Sequence, residues 1–120
     1  MRGEVKNWWK SGKNDLETAR YNLNGNRLDA AAFFAQQAAE KVLKALQIKK
    51  LGKFERTHDL ILLAKSVDAP MEVIQLCELI APFYTVTRYP DVLVSYDKRK
   101  VSSVVEASEK VGEWVGRNLT

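Results

Sequence analysis

The chain of 120 residues carries 19 lysine or arginine residues against 15 acidic ones, and its net charge of +4 permits nucleic-acid contact but equally suits a solvated surface. Its single cysteine, Cys77, excludes an internal disulfide, and no Cys/His cluster has the spacing of a zinc site. No segment has the roughly 18 consecutive apolar residues of a membrane span, and the first residues lack the apolar core of a signal peptide, so we expect one cytoplasmic, metal-free domain over residues 1–120.

Two long helices are predicted in the first half of the chain. Apolar residues at helical spacing favour a first helix over about residues 4–24 and a second over about residues 27–50. The sequence Asn24-Gly25-Asn26 is a strong turn signal, so the second helix should fold back beside the first. Gly52 stands where a left-handed C-cap is expected.

Shorter elements follow. Thr57 is a candidate N-cap for a third helix over about residues 58–67, and Asp68 with Pro70 is typical of the start of a fourth. Pro82 lies inside the apolar pattern of this fourth helix. Because proline lacks a backbone donor and clashes with the preceding turn, we expect a kink or an early end there.

The last element is a long amphipathic helix that ends near Asn118, with Asp97 or Ser95 as its N-cap. It follows residues 91–96, for which we expect an ordered loop. No strand pattern of useful length occurs. The sequence therefore predicts an all-α fold, an up-and-down bundle of four to five helices.

The second helix has one anomaly in its apolar pattern. Phe33 lies opposite the apolar arc, beside Gln37, Glu40 and Lys44. One interpretation is that this helix is central and covered on nearly every side. The other is that the face meets a second chain, with Phe33, Gln37 and Lys44 in a symmetric dimer contact.

Three motifs occur in a fixed order along the chain. They are Ala-x-Phe-x-x-Gln-Gln-Ala-Ala-Glu-Lys-x-Leu-Lys-Ala within residues 31–45, then Arg56-Thr57-His58-Asp59-Leu60, then Arg88-Tyr89-Pro90-Asp91. With these motifs the chain resembles the HEPN family, small helical domains associated with nucleotide binding. The resemblance implies a homodimer. In prokaryotes it also implies, very often, a small partner with the minimal nucleotidyltransferase fold, in a toxin-antitoxin-like pair.

The same resemblance bears on catalysis. The family includes metal-independent endoribonucleases in which an arginine is followed, after four to six residues, by a histidine near the end of helix 4. Such a histidine moves a proton while the arginine holds charge on the phosphate. Here no histidine follows Arg88 in that window, and His58 is the only one in the chain. We therefore expect a non-catalytic module that binds a nucleotide or RNA. One alternative is a ribonuclease toxin with a rearranged site, in which Arg88 and Tyr89 of one subunit act with His58. Another is a scaffold whose dimer surface is its whole function.

His58 also has a structural interpretation, in which its ring caps the backbone or packs against the second helix. The chain has no glycine-rich phosphate loop and no paired carboxylates spaced for metal-dependent nucleotidyl transfer. We therefore expect no cofactor, and any such transfer would belong to the partner protein.

The Arg88 motif is the candidate ligand site. Pro90 restricts the backbone of Tyr89 to extended geometry, and an arginine fixed beside an aromatic ring suits a phosphate and a stacked base. Asp91 belongs to the same candidate site. In the alternative, Arg88 pairs with Asp91 or Glu78 and Tyr89 fills the end of the bundle.

Two other features have both a functional and a structural interpretation. Lys98 begins a basic cluster at the start of the last helix, where positive charge opposes the helix dipole. A bound phosphate or an acidic partner would balance it, although a solvated turn is the alternative. Trp8 and Trp9 lie on either side of the apolar stripe of the first helix, so at least one of them should pack at the edge of the core. The alternative is that one of these rings stacks on a base.

Overall fold

The computed structural model describes residues 2–91 and 95–120, and all regular structure in these ranges is helical. The helices are α1 (Gly3–Asn24), α2 (Leu28–Leu51), α3 (Leu60–Ser66), α4 (Met71–Ile80), α5 (Phe83–Arg88) and α6 (Lys98–Asn118). The predicted all-α bundle is therefore confirmed. It has five helices if α4 and α5 are counted as one helix that is broken at Pro82.

Helices α1 and α2 lie against each other, joined by a short turn. Asn26 in this turn has a left-handed backbone, with φ 62°, and the N–H of Arg27 donates to the carbonyl of Asn22 at 2.8 Å. Gly12 lies tightly against α2, because a Cβ there would be 2.7 Å from Cγ1 of Val42 and 3.2 Å from the carbonyl oxygen of Ala38. The glycine thus lets the two backbones pack closely.

Helix α2 is the centre of the bundle. It contacts each of the other helices that the structure describes, and buried residues lie on most of its sides. The first interpretation of the Phe33 anomaly, a central helix, is confirmed. Phe33 is half-buried, with its ring edge-on to Phe34 at 5.1 Å between centroids, Gln37 is half-buried, and Lys44 is buried within the chain.

Several helix ends follow their sequence signals. Gly52 has φ 80° as the left-handed C-cap of α2. Asp97 caps α6, its carboxylate accepting a hydrogen bond from the N–H of Arg99 at 3.1 Å. The predicted interruption at Pro82 is observed, since α4 ends at Ile80 and α5 begins at Phe83. Of the predicted loop over 91–96, residues 92–94 lie outside the described residues.

The predicted start of the third helix is wrong. Its N-cap is Asp59, not Thr57, because the Asp59 carboxylate accepts from the N–H groups of Ile61 and Leu62 at 3.0 and 3.1 Å. The Thr57 hydroxyl instead accepts from the N–H of Asp59. His58 therefore precedes α3 and lies in the connection from α2.

The core is apolar, and Cys77 is part of it. Burial, with a smaller effect from Glu78, raises the pKa of this thiol to about 12, so it is inert as a nucleophile at neutral pH. No helix in residues 2–91 or 95–120 is both long enough and apolar enough to cross a membrane.

Candidate functional site

A row of polar side chains is buried along α2. Gln36, Glu40 and Lys44 stand one helical turn apart, so they lie one above the other on the same face. Glu40 is only 4% exposed, and its carboxylate accepts from Nε2 of Gln36 at 3.0 Å and from Nζ of Lys44 at 2.9 Å. A buried carboxylate is tolerated when its charge is matched and its oxygens are hydrogen-bonded, and Glu40 meets both conditions.

His58 joins this row from the connection between α2 and α3. Its Nδ1 lies 3.0 and 3.1 Å from the two carboxylate oxygens of Glu40. The imidazole also stacks on the ring of Tyr84, with 4.5 Å between centroids and 22° between planes. One edge and one face of the imidazole are thus held, while the side chain remains 54% exposed.

Arg88 reaches the same cluster from the end of α5. Its guanidinium Cζ lies 3.9 Å from the centroid of the Tyr84 ring and 4.8 Å from that of Phe33. It donates to the carbonyl of Tyr84 at 3.0 Å and to Oε1 of Gln36 at 3.2 Å. The alternative in which Arg88 pairs with Asp91 or Glu78 is therefore wrong, because its guanidinium donates to Gln36 on α2 and to the Tyr84 carbonyl on its own helix.

His58 and Arg88 converge although they are distant in sequence. A chain of hydrogen bonds runs from His58 through Glu40 and Gln36 to Arg88, and both end residues pack on Tyr84. Sequence reasoning missed Gln36, Glu40 and Tyr84. The available signal was the four-residue spacing of Gln36, Glu40 and Lys44, which places three polar side chains on one face of the same helix.

The charge state of Glu40 follows from this environment. Burial opposes ionisation and raises its pKa, but the hydrogen bonds from Lys44, Gln36 and His58, with the charge of Lys44, act in the other direction. Together they hold the pKa of Glu40 below its ordinary value. At neutral pH the group facing His58 is therefore a carboxylate, which accepts hydrogen bonds only.

An open pocket of about 340 Å³ adjoins this cluster. Glu40, Gln37 and His58 line it, and the rest of its lining is aromatic or cationic: Trp8, Phe54, Lys41, Lys44 and Arg56. The rings of Trp8 and Phe54 are in contact, with centroids 4.8 Å apart. Such a combination of flat apolar surface and positive charge can hold a base and a phosphate.

The cationic side chains of the pocket differ in how accessible they are to a ligand. Lys44 is buried against Glu40, and Lys41 is paired with Asp15 at 2.8 Å. Arg56 is exposed, lies 5.7 Å over the Phe54 ring, and forms no ion pair with the residues that the structure describes. Arg56 and His58 are therefore the positive or polar groups most accessible to a ligand.

Comparison with known proteins decides the family. The family model described as the HEPN domain matches residues 5–118. The chain belongs to the HEPN family. A crystal structure of ST0689, an archaeal HEPN homologue, superposes with a TM-score of 0.83 at 29% identity, covering 99% of this chain and 100% of that one.

A second solved structure is similar to this chain in fold. The crystal structure of TT1696 from Thermus thermophilus gives a TM-score of 0.88 at 24% identity, covering 97% of this chain and 98% of that chain. No curated protein matches the sequence.

The remaining site candidates of this HEPN chain lie apart from the pocket. Tyr89 is 51% exposed, so it does not fill the end of the bundle as the structural alternative required. Asp91 and Lys98 are exposed, and neither they nor Arg88 line the pocket beside His58. Across residues 2–91 and 95–120, no group of three or more His, Cys, Asp or Glu side chains is placed to hold a metal ion.

Proposed function

We propose that this HEPN chain binds a nucleotide in the pocket beside His58. The observation that carries the proposal is the grouping of Trp8, Phe54, Arg56 and His58 around one opening. A volume of about 340 Å³ is at the lower end of the range of roughly 300–1,000 Å³ for small-molecule sites, so a mononucleotide fits better than a longer strand.

Each part of the nucleotide has a matching group. An aromatic ring beside an open volume offers a stacking surface for a base, and Trp8 is half-buried with its ring on the pocket wall. The guanidinium of Arg56 is suited to a phosphate because it donates several hydrogen bonds in one plane. Since Lys44 neutralises Glu40, the buried carboxylate does not leave the pocket negative.

Binding of the four ribonucleoside monophosphates, measured by calorimetry, tests the proposal. We expect saturable binding of at least one of them. Arg56→Ala should weaken it about tenfold or more, because hydrogen bonds to charged groups contribute roughly 1.5–3 kcal/mol. Arg117→Ala is the matched control, since Arg117 is an exposed arginine on α6 outside this pocket. If no nucleotide binds at millimolar concentration, the proposal is wrong.

RNA cleavage without a metal is the second candidate function. It is favoured by the convergence of His58 and Arg88 on Tyr84, which supplies an imidazole and a guanidinium in one region despite the departure from the family's motif. His58 would transfer the proton and Arg88 would stabilise the phosphate charge. However, Arg88 already donates to Gln36 and to the Tyr84 carbonyl, so it would have to be released first. We therefore place binding ahead of cleavage.

Incubation of the pure protein with RNA in a chelator, from about pH 5 to about pH 9, tests this candidate. Cleavage that is lost in both His58→Ala and Arg88→Ala would support it. Intact RNA across the whole range would exclude it.

We further propose a homodimer and a minimal nucleotidyltransferase partner, in a toxin-antitoxin-like pair. Family membership supports both, and the half-buried Phe33 and Gln37 leave part of the α2 face available for a contact. Light scattering of the pure chain tests the dimer, and a monomer mass would exclude it.

Capture of this chain from the native cell, followed by mass spectrometry, tests the partner. If the chain is recovered without a nucleotidyltransferase, the result counts against the pair.

A further inference from the structure

The contact between Glu40 and His58 determines which imidazole nitrogen carries the proton. Both carboxylate oxygens of Glu40 lie within 3.1 Å of Nδ1, and they already accept from Gln36 and Lys44. An ionised carboxylate has no proton to donate, so Nδ1 must be the donor. In the neutral ring Nε2 is then unprotonated and can only accept.

The position of the ring leaves this acceptor open to a ligand. Nδ1 faces the buried carboxylate and Tyr84 covers one face, whereas the side chain as a whole is 54% exposed and lines the pocket. Among residues 2–91 and 95–120, none forms a hydrogen bond with Nε2. The side chains of Arg56, Lys41 and Lys44 offer only donors.

We propose that His58 recognises a sugar hydroxyl of the bound nucleotide through Nε2, and that Glu40 is the positioning residue that keeps Nε2 free of a proton. The ligand class is then nucleotides whose sugar carries a 2′- or 3′-hydroxyl group that can donate to this nitrogen. This inference rests on the proposed nucleotide pocket. It adds the requirement that the ligand present a sugar hydroxyl, which neither the cations nor the aromatic rings impose.

The tautomer can be measured directly because His58 is the only histidine. Nitrogen chemical shifts of the labelled imidazole, recorded at about pH 8.5 where an ordinary histidine is neutral, separate the two forms. We expect the Nδ1–H form in the native protein. Glu40→Gln should lose this preference, because an amide can donate to Nδ1 as well as accept from it. A dominant Nε2–H form in the native protein would overturn the proposal.

Ligand discrimination is the second test. At the same pH, a ribonucleoside monophosphate should bind about 3- to 10-fold more tightly than its 2′,3′-dideoxy counterpart, the range expected for one hydrogen bond. The 2′-deoxy and 3′-deoxy forms then locate the hydroxyl. His58→Ala should bind the ribo and dideoxy ligands equally, whereas Arg117→Ala should keep the difference.

The outcomes separate the two proposals. Equal binding of ribo and dideoxy ligands by the native protein would refute the role of His58 while leaving the nucleotide pocket intact. Absence of all nucleotide binding would refute the pocket itself. Where Glu40→Gln fails to fold, the tautomer and the ribo-to-dideoxy ratio of the native protein still decide the matter.

Discussion

Nδ1 of His58 lies 3.0 Å from Oε1 of Glu40, which joins an exposed ring to a buried carboxylate of the central helix. This contact links the stability of the bundle to the chemistry of the pocket. Glu40 is held on its other sides by Lys44 and Gln36, and Gln36 in turn accepts from Arg88. A change at Glu40 should therefore alter both folding and the orientation of His58.

Removing the charge of Glu40 should destabilise the protein strongly. In Glu40→Gln the ammonium of Lys44 stays buried without a counter-charge, and breaking a buried pair in this way costs about 3–5 kcal/mol. Chemical denaturation measures the loss. The double variant E40Q/K44M should recover part of it, because it removes the stranded charge as well. Glu106→Gln on the exposed side of α6 is the control and should change stability by less than about 0.5 kcal/mol. If Glu40→Gln and Glu106→Gln lost the same amount of stability, the buried pair of Glu40 and Lys44 would not be the cause of the loss.

The same carboxylate should contribute to acid sensitivity. The pKa of Glu40 is lower in the folded chain than its ordinary value of 4.5. Its stabilising contribution is therefore complete above that value and is lost as the pH falls through the lower, folded pKa. Denaturation curves recorded on both sides of this window should show a smaller acid loss in Glu40→Gln than in the native protein. Parallel losses in the two proteins would show that another group controls acid unfolding.

Gly12 and Gly112 make a matched pair for testing the packing of the bundle. A methyl group at Gly12 would meet Cγ1 of Val42 at 2.7 Å, so Gly12→Ala should push α1 from α2 and cost about 1–3 kcal/mol. Nothing lies within 4 Å of a Cβ at Gly112. Gly112→Ala should accordingly be neutral or stabilise α6 by up to about 1 kcal/mol, since alanine favours helix over glycine. Thermal melting compares the two, and equal effects would argue against the close approach at Gly12.

The corrected start of α3 also has a direct test. Asp59→Ala removes the carboxylate that accepts from Ile61 and Leu62, at a cost of about 1 kcal/mol. Thr57→Ala should cost less, because its hydroxyl accepts only from the N–H of Asp59, outside the helix. Urea denaturation of both variants gives the order, and a larger loss at Thr57 would restore that residue as the cap.

Much of the fold could be predicted from sequence because its signals are local. The turn at Asn24-Gly25-Asn26, the left-handed Gly52 and the break at Pro82 each depend on the backbone preferences of one or a few residues. The choice between Thr57 and Asp59 as a cap depends on a two-residue shift, which periodicity does not resolve.

The site was harder to predict, because its contacts join distant parts of the chain. The polar face of α2 with Glu40 and Lys44 was visible, but an unassigned polar face suits a dimer contact as well as a buried network. The return of α5, which brings Tyr84 and Arg88 against α2, makes part of this face a buried network. His58 was singled out from the sequence as a candidate. Its partner Glu40 was not.

The central claim is that a nucleotide binds beside His58. Titration of the isotope-labelled protein with ribonucleoside monophosphates tests it most directly, observing the single imidazole and the indole N–H of Trp8 together. We expect both signals to shift and to saturate at the same ligand concentration. Unchanged signals for both groups at millimolar ligand, or saturable shifts confined to Trp114 and the exposed side of α6, would contradict it.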